Sequence, residues 1–137
     1  MKKIVLLGLL VPFLLTSCLD ADTPHVDGLW QLKTIQIANK TVPIDTVYYN
    51  FMLKRYEFSY IVVHEQSTEP EQARTMYGYV NFPTKNTLNI LMDTTHSIDY
   101  SILLWDGLEV SYNILKLNSK EMILEDKTAV KYYFIKF

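Results

Sequence analysis

Reactive side chains are scarce in this 137-residue chain, which carries one cysteine, Cys18, and three histidines, His25, His64 and His96. A thiol can act as a nucleophile, bind a metal, cross-link or be acylated, and the residues ahead of Cys18 select among these. Lys2 and Lys3 precede an apolar run over residues 4–15, and Thr16-Ser17 then supply small residues before the thiol. A charged start, an apolar stretch and a small-residue boundary are the parts of an export signal. The run has 12 residues, whereas a membrane-spanning helix takes roughly 20. The histidines lie at separate places with no partner at metal-ligand spacing, so they read as solvated or hydrogen-bonded side chains, and no metal site is expected. No serine elbow or glycine-rich phosphate loop is present, and Glu57, Asp93, Asp99 and Asp106 do not pair into an acid–base couple by spacing. Neither an enzyme nor a cofactor is expected.

Leu15-Thr16-Ser17-Cys18 resembles the lipobox of bacterial lipoproteins, in which the thiol takes a diacylglycerol before cleavage. That resemblance implies a signal peptide over residues 1–17, a lipidated tether over 18–27 and one domain over 28–137. Leu19 after the cysteine is similar to the outer-membrane residue in Gram-negative sorting rules. The expected address is therefore the cell envelope, lipid-anchored at the outer membrane through acylated Cys18. Without residues 1–17 the chain has 120 residues, 11 basic and 15 acidic side chains, and a net charge of −4. An acidic chain is a poor partner for nucleic acid or anionic lipid surfaces. With no second cysteine for a disulfide, stability must come from packing.

Aromatic content is the positive signal for binding, because 17 of the chain's 18 aromatic residues follow Cys18. Trp30, Tyr56, Phe58, Tyr60, Tyr77, Tyr79 and Trp105 are the candidate lining of a pocket for an apolar ligand or a sugar ring. A tyrosine offers such a ligand both a flat face and a hydroxyl. Strand propensity alone also enriches aromatics in a small β core.

Strands must position those rings. Over residues 28–37 the apolar face slips, with Trp30 and Leu32 on even positions and Ile35 and Ile37 on odd ones, as in a strand bulged near Lys33. Asn39-Lys40 reads as a turn, and residues 41–50 are ambiguous. Residues 55–65 give the clearest alternation, placing Tyr56, Phe58, Tyr60, Val62 and His64 on one face. A polar loop over 66–72 leads to a strand over 74–82, where Gly78 suggests a bend. Residues 88–92 form a short strand. Residues 98–105 also read as a strand, because Asp106-Gly107 after them suits a tight hairpin. Three more strands are expected over 108–117, 121–125 and 130–137. Seven or eight sequential strands with short connections predict an all-β antiparallel meander that closes into a barrel, a β-sandwich being the alternative.

Gly28-Leu29-Trp30 at the head of the first strand is similar to the Gly-x-Trp opening of lipocalins and related calycin barrels. The ending Tyr112-x-Ile114-x-x-Leu117-Asn118-Ser119-x-x-Met122-x-Leu124, with Tyr132-Tyr133-Phe134, resembles the final strands of short lipocalin-like lipoproteins of Gram-negative bacteria, most of unknown function. The resemblance implies a lipocalin-like barrel that binds a small hydrophobic or glycan ligand without catalysis. The chain is shorter than full-length lipocalins, lacks their disulfide and shows no C-terminal helical pattern. An eight-stranded barrel is just wide enough for one small ligand, so a few large inward side chains would fill it. The alternative function is a non-binding docking subunit of an outer-membrane or cell-surface complex.

Overall fold

The computed structural model describes residues 23–63 and 73–137. Alternating apolar residues, too short in their runs for helices, pair instead across strands, and among the described residues nine strands follow in chain order. They are β1 (Gly28–Ile37), β2 (Lys40–Pro43), β3 (Val47–Met52), β4 (Glu57–Val62), β5 (Arg74–Thr84), β6 (Thr87–Met92), β7 (Glu109–Leu117), β8 (Glu121–Glu125) and β9 (Lys131–Lys136). Each of the strands β3 to β8 pairs antiparallel with the next. β1 pairs with both β3 and β9, which closes a ring of eight, and β2 lies outside the ring as a short exposed hairpin arm on β1. Closure leaves the ring without a free edge, which a flat sheet of this length would expose to other chains.

The slip in the first strand is present. Pairing of β1 with β9 shifts between Leu32 and Thr34, so Trp30, Leu32 and Ile35 all reach the interior. Residues 41–50 resolve into β2 and the start of β3, with Tyr49 pointing inward between them and the barrel axis. At Gly78 a side chain would press on the neighbouring strand, because a Cβ there would lie 2.6 Å from the Leu91 carbonyl oxygen. The glycine permits close approach of β5 and β6 where the sheet curls.

Three expectations are corrected. The clearest strand is shorter than read: a 3-10 turn over Leu53–Arg55 ends at Tyr56, whose φ of 54° lies in the left-handed region. That residue therefore leaves the alternation, and β4 begins at Glu57; His64 and Glu65 lie outside the described residues. Residues 98–105 are not a strand. The Asp99 carboxylate accepts the Ser101 backbone N–H and starts a 3-10 turn over Tyr100–Ile102, so Ile98, Ile102, Leu103, Leu104 and Trp105 are laid as a strap onto the end of the barrel. Asp106-Gly107 accordingly bends the chain back towards β7 rather than closing a hairpin, with Gly107 at φ 83°. Finally, Val26, near the end of the stretch read as tether, packs before β1 begins. Val26 is completely buried, and its carbonyl accepts the Trp30 indole N–H at 2.7 Å, which seals the end of the barrel opposite the strap.

Candidate functional site

The interior is built around Tyr49. The register sets it opposite Trp30 on β1 and Tyr60 on β4. Its ring centroid is 4.7 Å from that of Phe134, 5.1 Å from Phe58 and 5.6 Å from Tyr60. Trp30, Tyr49, Phe51, Phe58 and Tyr60 are completely buried, so rings fill the barrel at this level.

A buried phenol needs a hydrogen-bond partner. Tyr49 and Tyr112 supply each other with one, their hydroxyl oxygens 2.9 Å apart. Burial, reinforced by the neighbouring Tyr112, holds the Tyr49 phenol far above its ordinary pKa; burial does the same to Tyr112. Towards the mouth, the Tyr132 hydroxyl donates to an Asp126 carboxylate oxygen at 2.8 Å. Partial burial works against charge on Asp126, but hydrogen bonds from Thr128, Tyr132 and Val130 outweigh it and keep its carboxyl below the usual aspartate range.

Because the two central phenols stay protonated, the folded barrel resists an ionisation that the unfolded chain undergoes near pH 10. The stability gained this way is complete below that pH and is lost as pH rises past it. Urea midpoints measured from about pH 8 to about pH 11.5 are expected to hold steady and then fall above about pH 10. A flat profile to the top of that range would mean that the phenols ionise in place.

An open cleft of about 750 Å³ lies at the mouth. Ile35 and Ile37 of β1, Val110 of β7, Val130 and Tyr132 supply apolar walls, and Leu104 and Trp105 of the strap form its roof. Asp106, Glu109, Asp126, Lys127, Ser111 and Thr128 supply polar groups. Trp105 sits edge-on to Tyr60 at 5.5 Å and to Tyr49 at 6.4 Å. Its indole nitrogen is buried with no hydrogen-bond partner among the described residues. The strap is held by the Tyr60 hydroxyl, which donates to the Ile102 carbonyl at 2.7 Å, and by Arg74 pairing with Asp99 at 2.8 Å.

The expected lining is therefore divided among three places. Trp30, Phe58 and Tyr60 are inside, packed in the filled core, and Trp105 alone reaches the mouth cleft. Tyr56, Tyr77 and Tyr79 do not share that interior; they stand on the outside of the barrel, 57%, 47% and 50% exposed. The reason is parity, since Met76, Gly78 and Val80 take the inward positions of β5, and at Tyr56 it is the left-handed backbone. Tyr49, Tyr112 and Tyr132, the inner hydroxyl-bearing residues besides Tyr60, were missing from the expected lining. The adjacent pairs Tyr48-Tyr49 and Tyr132-Tyr133 were the available signal, because a strand must turn one member of each pair inward.

The family described as a lipocalin-like domain matches residues 13–137. A solved lipocalin-like protein from Bacteroides uniformis ATCC 8492 is similar, with a TM-score of 0.69 and 23% identity over 81% of this chain and 97% of that one. An uncharacterized protein from Bacteroides eggerthii DSM 20697 is similar with a TM-score of 0.66 and 20% identity, over 81% of this chain and 98% of that one. At these identities the likeness is one of fold. No curated protein matches the chain.

Proposed function

Because this chain belongs to the lipocalin-like domain family, we propose that it is a lipid-anchored envelope protein that holds a small hydrophobic or glycan ligand at its barrel mouth, without chemical transformation. The cleft under Trp105 carries this reading. Its volume of about 750 Å³ falls within the roughly 300–1,000 Å³ of small-molecule sites, which typically combine apolar walls with a few polar groups. The packed rings beneath it would stop a ligand at the level of Trp105 and Tyr132. Lipid anchoring through Cys18, at the outer membrane, would keep the site at the membrane surface; its support is the sequence Leu15-Thr16-Ser17-Cys18.

Native mass spectrometry of residues 19–137, made in a bacterial envelope and purified without detergent, tests this reading. A bound adduct is expected, and Trp105→Ala should weaken its retention about 10- to 30-fold, the effect of losing an aromatic anchor. Thermal melting of the variant separates lost binding from lost fold. The filled interior favours a second reading, a docking subunit that binds no small molecule. A clean apo mass, with no thermal stabilisation across lipid and glycan panels, would select that reading instead.

A further inference from the structure

We propose that the outer wall of the barrel carries a second site, distinct from the mouth cleft, for an organic cation held between Tyr77, Tyr79, Glu57 and Asp93. Residues two apart on a strand share a face, so Tyr77 and Tyr79 stand side by side on the outside of β5. On one flank, Glu57 of β4 is the direct register partner of Tyr79. On the other, Asp93 follows the last residue of β6, and its backbone N–H donates to the Tyr77 carbonyl at 2.9 Å. Each ring thus has a carboxylate beside it, on opposite sides. Between them lies a hollow of about 370 Å³, to which His96 contributes its ring.

The chemistry of this hollow is one-sided. Two tyrosine rings and two carboxylates line it together with Phe58, Gly78 and His96, and among the described residues neither lysine nor arginine does. Among the described residues Glu57 makes no ion pair, and Asp93 meets no lysine or arginine, its one such contact being the His96 imidazole at 3.7 Å. The Asp93 carboxylate accepts the Thr95 backbone N–H at 2.9 Å and the Thr95 hydroxyl at 2.8 Å, bonds that favour its charged form. A cation over an aromatic face is attracted by the ring quadrupole, and quaternary ammonium groups are the usual organic ligands of such cages. The His96 ring stands at one side of the hollow, tilted 5.8 Å from that of Tyr77, with its Nδ1 3.1 Å from the Thr95 hydroxyl and 3.7 Å from Asp93. A bare metal ion is a poorer match, since no cluster of three metal-binding side chains occurs among the described residues. A sugar's hydroxyls can also donate to the two carboxylates, so a saccharide is the competing occupant that the test separates.

Titration with choline, followed by the tyrosine ring signals in NMR, tests the site against two controls: 3,3-dimethylbutanol, the neutral isostere, and methyl glucoside. Choline is expected to shift the Tyr77 and Tyr79 signals saturably, and the isostere to bind more weakly. Glu57→Gln and Tyr79→Ala, both on the surface, should each weaken choline about five- to tenfold, the size of one cation–π or charge contact. Thr41→Ala on the exposed arm should change nothing. Equal binding of the isostere, an unaltered Glu57→Gln, or a loss in Thr41→Ala would each overturn the proposal. Preference for the glucoside would also overturn it and make the wall a saccharide platform.

Discussion

Replacing Tyr49 with alanine is expected to remove about 3–5 kcal/mol of stability, the usual cost of truncating a buried aromatic. A domain of this size is stable by only about 5–15 kcal/mol, so the variant should be largely unfolded at modest urea concentrations where the parent is not. The cause is position. Tyr49 is completely buried and meets rings from β4, β7, β9 and the strap, so no single neighbour can move in to fill the space. The hydroxyl can be isolated from the ring. Tyr49→Phe keeps the packing but leaves the Tyr112 oxygen without the partner now 2.9 Å away, which should cost about 1–3 kcal/mol. Tyr112→Phe should behave alike. The double variant should cost less than the two together, because it leaves no orphaned phenol. Strictly additive losses in urea titration would show that the two hydroxyls are not partners, and a Tyr49→Ala protein as stable as the parent would mean that the interior is not filled.

The largest cellular effect is expected from Cys18→Ala. If the thiol carries acyl chains, each buried methylene adds about 0.8 kcal/mol to membrane affinity, and several chains make release negligible. An alkynyl fatty acid fed to the cells should label the parent protein and leave the variant unlabelled. The intact mass should correspond to residues 18–137 plus acyl groups in the parent, and to an uncleaved leader in the variant. Label retained by Cys18→Ala, or a parent mass without acyl groups, would remove the lipidation reading and with it the proposed address.

Much of the fold was legible because strand alternation has a period of two. The slip at Lys33 was visible as a change of apolar parity, and the structure has the register shift there. Phe58 and Tyr60 were assigned to one face and are together inside. What alternation could not give was the direction of that face. On β5, Tyr77 and Tyr79 oppose Met76, Gly78 and Val80; the two rings are larger, but each carries a hydroxyl, and the smaller, wholly apolar side chains went inward. The barrel leaves little room there, as the approach of Leu91 to Gly78 shows. Residues 98–105 were misread for a different reason. Apolar residues on both sides suggest a buried strand, but a strap lying across a barrel end satisfies the same burial without strand pairing. The turn is capped by Asp99, whose carboxylate accepts from both the backbone N–H and the hydroxyl of Ser101, a local device that periodicity does not show. The mouth cleft was invisible because it is assembled from β1, β7, the strap and the turn before β9, which only closure brings together.

Closure of the ring by β1 and β9 also sets the order of events in folding. The first strand of the barrel finds its second partner only in the last, Trp30 pairing with Lys136. Nearly the whole domain must therefore leave its point of synthesis before the ring can be completed, and such non-local pairings form slowly. Until then both edges are open and the rings around Tyr49 lack the wall contributed by Phe134. A chain arranged in this way stays unlatched until its last strand is in place.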